Sequence, residues 1–194
     1  MYNSFVFLTL LLVAFLPLRE RNFSVSREAS ANINNTCLSV LHSLIDRGLV
    51  DDSLRYSHIG AIMITESGLQ GVSRPSQFVM NFGGESKRFS DKKLALKYLS
   101  SRDDTNVDIG CMQINLAAHC KEYTGSCTKE SRLKMAEKLF NKEENILFAL
   151  KLLKRAKAKG KLGYYHSATE DKYNQYVSKV NKVLESAGLT KDFK

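Results

Sequence analysis

Only two prolines interrupt the 194 residues, while 43% of them are hydrophobic. Long helices can therefore run unbroken, and the length suits one globular domain with a sizeable core. Several enzyme templates are missing: there is no G-x-S-x-G elbow, no Walker loop, no H-E-x-x-H pair and no dinucleotide fingerprint. These absences leave no motif-based case for hydrolase-elbow, P-loop, zincin or nucleotide-cofactor chemistry, and no cofactor is expected. His119 beside Cys120 lacks a paired C-x-x-C, so no metal site is expected either. No RRM-like aromatic motif, zinc finger or arginine-rich arm is present, which argues against nucleic acid as a partner.

Phe5 to Leu18 form an almost unbroken apolar run, the length of a signal-peptide core and short for a bilayer span. No Lys or Arg precedes the run, Arg19 and Arg21 follow it, and the A-x-A pattern Ala29-Ser30-Ala31 lies far downstream. Residues 1–31 are read as a signal peptide, or an N-terminal anchor through residues 5–18, plus linker. Residues 32–194 form the working domain. Export is the leading reading, and an uncleaved membrane anchor stands second. Cys37, Cys111, Cys120 and Cys127 all lie beyond the leader, and an even count in an exported chain favours disulfides, with three pairings open. Cys120 and Cys127 are close enough in sequence to close a small loop.

The net charge of +9 is unevenly spread. Residues 129–194 hold 16 Lys and Arg against 8 Asp and Glu, whereas residues 32–128 hold 10 of each. The excess peaks in KLLKRAKAKGK, residues 151–161. A solvated helix face explains such a run; attraction to an anionic polymer or surface is the competing explanation.

The polar stretch 22–35 reads as a linker. A helix fits residues 36–49 with Thr36 as N-cap, and a second is expected from a cap at Asp51, Asp52 or Ser53 to Glu66. Residues 77–90 look like a β-hairpin around Gly83-Gly84. Asp91 caps a helix over 91–101, and residues 102–110 form an Asp-rich loop. Three further helical segments fit 130–141, 143–159 and 170–187, the second with an Ile146, Leu150, Leu153 stripe. The third carries Tyr173, Tyr176, Val177, Val180 and Leu184. The expected class is α+β, mainly α, with one small hairpin.

Three stretches carry candidate chemistry. In MITESGLQ, Glu66 ends an apolar stripe of Tyr56, Ile59, Ile62 and Met63, and Gly68 then stops the helix. A carboxylate on an apolar face is poorly solvated, which favours the protonated form that a general acid for glycosidic-bond cleavage needs. The competing reading is an exposed, inert glutamate at a fraying helix end. In DIGCMQIN, Gly110 permits close backbone approach, Gln113 offers a donor and an acceptor to a sugar, and Met112 is an adaptable wall. An ordinary loop-to-helix entry with core Met and Ile competes with this. In GYYHSAT, Tyr165 is suited to bond a carboxyl or pack on a saccharide, and His166 is suited to acid–base work or to surface capping.

The order of these motifs is more specific than any one of them. Glu-Ser-Gly at a helix end, Gly-x-Met-Gln, Asn145 at a helix start and Tyr165 before a terminal helix resembles the lytic transglycosylases. These are soluble-lytic-transglycosylase domains of the lysozyme-like superfamily, related to goose-type lysozyme. The form NFGGESKRF, DIGCMQINL and YHSAT is similar to their alphaproteobacterial branch, over the span from Cys37 to Val180. The resemblance implies a lysozyme-like fold with Glu66 as the single catalytic acid. It also implies that Ser67, Gly110, Met112, Gln113, Asn145 and Tyr165 bind substrate or support the site. It places a disulfide between Cys37 and Cys111. Where the common pattern has leucine, glycine and Y-N-A-G, this chain has Cys111, Ala149 and Tyr165-His166-Ser167-Ala168.

By the same resemblance, the expected reaction cleaves the β-1,4 bond between N-acetylmuramic acid and N-acetylglucosamine in peptidoglycan, leaving a 1,6-anhydro end. Intramolecular attack dispenses with the second carboxylate that ordinary glycosidases need. Asp104 and Asp108 are the candidates for that role if the chain hydrolyses like lysozyme. Two non-enzymatic readings compete with both: a wall-binding module, and a structural component of an envelope machine. The setting implied is the periplasm, free or anchored to the inner membrane, with a secretion or conjugation apparatus as partner.

Overall fold

Thr36 opens the first helix. Its hydroxyl accepts the Ser39 N–H at 3.1 Å while the Ser39 hydroxyl accepts the Thr36 N–H at 3.0 Å, so two donors without helical partners are satisfied. The computed structural model describes residues 36–68, 75–104, 106–166 and 169–194. The leader and polar arm, with Ser167 and Ala168, lie outside them.

Among the described residues there are seven α-helices: α1 (Cys37–Asp46), α2 (Tyr56–Ser67), α3 (Lys92–Ser100), α4 (Leu116–Thr124), α5 (Lys129–Leu139), α6 (Lys142–Ala158) and α7 (Glu170–Ser186). A 3₁₀ turn spans Leu162–Tyr165. Four short antiparallel strands, β1 (Val79–Phe82), β2 (Glu85–Arg88), β3 (Asp108–Ile109) and β4 (Ile114–Asn115), form one sheet in the order β2-β1-β3-β4. The class is α+β, mainly α. Side-chain oxygens of Asp91, Asn115, Thr128 and Asn141 cap α3, α4, α5 and α6.

The expected hairpin is present, with Phe82 paired to Glu85 across Gly83-Gly84. Both glycines have positive φ, +61° and +105°, as a primed two-residue turn requires. It is half of a larger sheet, because Met80 also pairs with Ile109, and Ile109 with Ile114. Strands of two residues carry no readable alternation, so β3 was hidden in the Asp-rich loop. Helix α4 likewise follows β4 without a break.

Helix α2 starts later than its acidic and hydroxyl residues suggest. Asp51 accepts the Ser53 N–H through its side chain and the Leu54 N–H through its carbonyl, closing a turn, and Arg55 is an N-cap without a side-chain bond. Tyr56 is solvent-exposed and outside the expected stripe. Beyond it, His58 through Met63 are all buried, so α2 is a central helix enclosed by α1, α7 and the C-terminal segment rather than a one-faced surface helix. Gly68 follows as the C-cap, where a side chain does not fit: a β-carbon there would lie 2.3 Å from the Ile64 carbonyl oxygen.

One apolar cluster runs from Cys37 to Phe193. Phe193, almost at the chain end, packs edge-on against His58 at 5.5 Å and Tyr176 at 6.1 Å between ring centres. Asn181 anchors it by bonding both the Phe193 N–H and its carbonyl at 3.1 Å. Asp192 bonds His58 Nε2 at 2.8 Å and also pairs with Arg55.

The cysteines form two disulfides, Cys37–Cys111 and Cys120–Cys127, as an oxidising compartment allows. No helix among the described residues is long and apolar enough to cross a membrane. The basic run of α6 is largely spent within the molecule. Lys154 pairs with Asp51 at 2.8 Å, Lys151 and Arg155 pair with Glu122, and Lys157 donates to the Ser53 carbonyl. This pairing favours the solvated-face reading over an anion-docking surface.

Candidate active site

Gly110-Cys111-Met112-Gln113 is the tip joining β3 to β4, and its shape is set by unusual backbone angles. Gly110 has φ +78°, and Gln113 is the only non-glycine described residue with positive φ, at +47°. Such an angle in a side-chain-bearing residue is held only by its surroundings. Here α6 holds it: Asn145 Oδ1 accepts the Met112 N–H at 2.8 Å, and Nδ2 donates to the Ile109 carbonyl at 3.1 Å. The disulfide to Cys37 fixes the tip to α1, and the Tyr165 hydroxyl donates to the Met112 carbonyl at 2.5 Å.

Glu66 stands at the end of α2, one residue before the contact with this tip. The adjoining Ser67 hydroxyl donates to the Cys111 carbonyl at 2.7 Å, tying helix end to turn. Arg88, from β2, donates through Nη2 to the Ser67 and Gly68 carbonyls at 3.0 and 2.9 Å, a cation at the negative end of the helix dipole. The Glu66 side chain is 10% exposed, and its Oε1 is buried without a hydrogen-bond partner. Around it stand His166, whose Nδ1 is 3.6 Å from Oε1, and the Tyr176 hydroxyl, which is buried without a hydrogen bond.

The electrostatics tie these groups together. Burial pushes the Tyr165 and Tyr176 hydroxyls well above the ordinary tyrosine range, and the Glu66 charge adds to both shifts. Burial also raises Asp108, against a hydrogen bond from Asn115 that favours its ionised form. The charge of Glu66 raises it further and His166 opposes. His166 is raised, first through its contact with Glu66.

Comparison with protein-family models, with curated proteins and with solved structures finds no match for the chain.

The residues singled out in the sequence therefore fall into two groups. Glu66, Tyr165 and His166 converge with Asp108 and Tyr176. Ser67, Met112 and Asn145 are buried and give the tip its shape, with Met112 in the core. Gln113 spends its Nε2 on the Gly110 carbonyl at 3.0 Å, leaving Oε1 buried and unpaired as an acceptor. Asp104 lies on the exposed loop, where its carboxylate accepts the Asn106 N–H. Tyr176 and Arg88 escaped the sequence reading: one was a member of an apolar stripe, the other a charge on a hairpin. Among the described residues no cluster of His, Cys, Asp and Glu is fit to hold a metal ion, and both Cys120 and Cys127 are consumed as a disulfide. The shallow 310 Å³ groove lined by Leu96, Leu133 and Glu137 shares no residue with this site.

The arrangement offers a nearly enclosed carboxyl that can give up and take back a proton. Two tyrosines, an imidazole and a second carboxylate stand around it. That equipment suits acid–base chemistry.

Proposed function

We propose that the protein is a peptidoglycan lytic transglycosylase with Glu66 as its acid and base. The observation that carries the reading is the enclosed Glu66 carboxyl with a buried Oε1 that has no hydrogen-bond partner, beside His166. The motif order resembling the lytic transglycosylases supports it.

In this mechanism protonated Glu66 gives its proton to the glycosidic oxygen as the bond to the muramic anomeric carbon breaks. The substrate's N-acetyl group stabilises the developing positive charge. Glu66, now a carboxylate, takes the proton of the muramic 6-hydroxyl as that oxygen closes on the anomeric carbon. The product is a 1,6-anhydro end, and Glu66 regains the form in which it started.

One observation favours a second reading, hydrolysis of the lysozyme type. Asp108 lies close enough to Glu66 to feel its charge, so a second carboxylate is at hand. Mass spectrometry of a purified-peptidoglycan digest separates the two. Anhydro-muropeptides are expected, and reducing ends in their place would establish the hydrolase. The two disulfides fit a periplasmic site of action, where local opening of the wall would serve assembly of a secretion or conjugation apparatus.

A further inference from the structure

His166 is unused by that mechanism. Its Nδ1 lies 3.6 Å from the buried Glu66 Oε1, which has no hydrogen-bond partner. His166 is itself fixed by packing, stacked on Tyr176 with ring centres 4.5 Å apart and 4° between planes. Its side chain is 47% exposed, against 10% for Glu66, so one edge of the imidazole meets solvent while the other meets the acid.

We infer that His166 is a proton relay for Glu66, carrying a solvent-derived proton on Nδ1 and delivering it to Oε1 when saccharide covers the pair. The inference rests on the reading of Glu66 as the acid. In the transfer the imidazolium N–H bond breaks and a carboxyl O–H bond forms. A cation and an anion become two neutral groups, with no atom or charge gained or lost. The driving force is desolvation. An ion pair is tolerable in a wet site, but removing water from each ion is costly, and the neutral pair avoids that cost. The relay thus sets Glu66 in its donor form as the substrate arrives.

The charged and titratable groups facing His166 are Glu66 on α2, Asp108 on β3, Lys179 and Tyr176 on α7, and Tyr165 on the 3₁₀ turn. The two carboxylates favour the imidazolium and Lys179 opposes it. Geometry and surroundings agree that the proton is held to higher pH than on a free imidazole. Activity that depends on it is therefore full below the ordinary histidine range and falls as pH rises through the raised value.

The test is the pH profile of kcat/KM for release of soluble muropeptides from purified peptidoglycan, comparing wild type with His166→Phe. Phenylalanine keeps the stack on Tyr176 and removes the proton. The alkaline limb of the variant should move to lower pH, giving a loss of about tenfold or more at neutral pH while the acid side is retained. A uniform loss with the limb unmoved would mean that His166 only shapes the site, and the relay would be wrong. An NMR titration of His166 in wild type and Glu66→Gln gives a second readout that needs no activity. The midpoint should fall in Glu66→Gln, and an unchanged midpoint overturns the relay. Wild type that releases no product at any pH overturns the enzyme reading and the relay together, whereas active wild type with an unmoved limb overturns the relay alone.

Discussion

The side-chain amide of Asn145 occupies the space that a β-carbon on Gly110 would need. That carbon would lie 2.4 Å from Nδ2 and 2.9 Å from Cγ, and 3.2 Å from the Leu139 carbonyl oxygen. Absence of a side chain at one position is thus matched to presence of an amide at the other. Asn145→Ala should leave the Met112 N–H unpaired in the interior, at about 1–3 kcal/mol, and take one bond from the Ile109 carbonyl. Gly110→Ala meets both the clash and a positive φ. Thermal unfolding should show a lowered melting temperature for both variants, with muropeptide release reduced in proportion to the damaged tip.

The two disulfides should differ in worth. Cys37–Cys111 closes a separation of 74 residues and Cys120–Cys127 one of 7. On chain-entropy grounds their loss costs about 4 and about 2 kcal/mol respectively. Denaturant unfolding of the paired alanine variants should reproduce that order. Only the Cys37/Cys111 pair should also lower activity, because Cys111 lies in the tip.

Phe193→Ala should destabilise by about 3–5 kcal/mol, the usual cost of emptying a buried aromatic site. Phe193 backs Tyr176, which in turn carries His166. Under conditions where the variant remains folded, its muropeptide release should fall, while His58→Gln, on the far side of the same ring, should affect stability more than release.

Glu122 is held down at about 2, first by its hydrogen bond from Arg155 and then by that from Lys151. A lowered carboxylate contributes stability above its unfolded value, and that contribution is lost as pH falls toward the folded value. The melting-temperature difference between wild type and Glu122→Gln should therefore shrink between about pH 4.5 and about pH 2. A difference that stays constant over that window would show the pairing with Arg155 to be without effect.

What the sequence made legible was local. Thr36, Asp91 and the Gly83-Gly84 pair act within three or four residues, and each does in the fold what its chemistry suggests. Asp51 misled because a turn competed for the same side chain that a helix cap would use. Convergence at the site was harder to read. Arg88 reaches Ser67 across 21 residues, and Asp108 feels the charge of Glu66, 42 positions away in sequence, from a strand of two residues. Tyr176 occupies an apolar position of α7, where its ring satisfies the pattern and its hydroxyl leaves no mark. Phe193 lies beyond the last helix, with no periodicity to announce burial.

The proposed chemistry turns on one carboxyl. Soluble product released from purified peptidoglycan by wild type and by Glu66→Gln, measured under identical conditions by mass spectrometry, tests it most directly. Glutamine keeps the shape and cannot exchange a proton, so release of anhydro-muropeptides should fall by about 10²-fold or more. Release by Glu66→Gln at the wild-type rate would contradict the assignment of Glu66 as the acid and base.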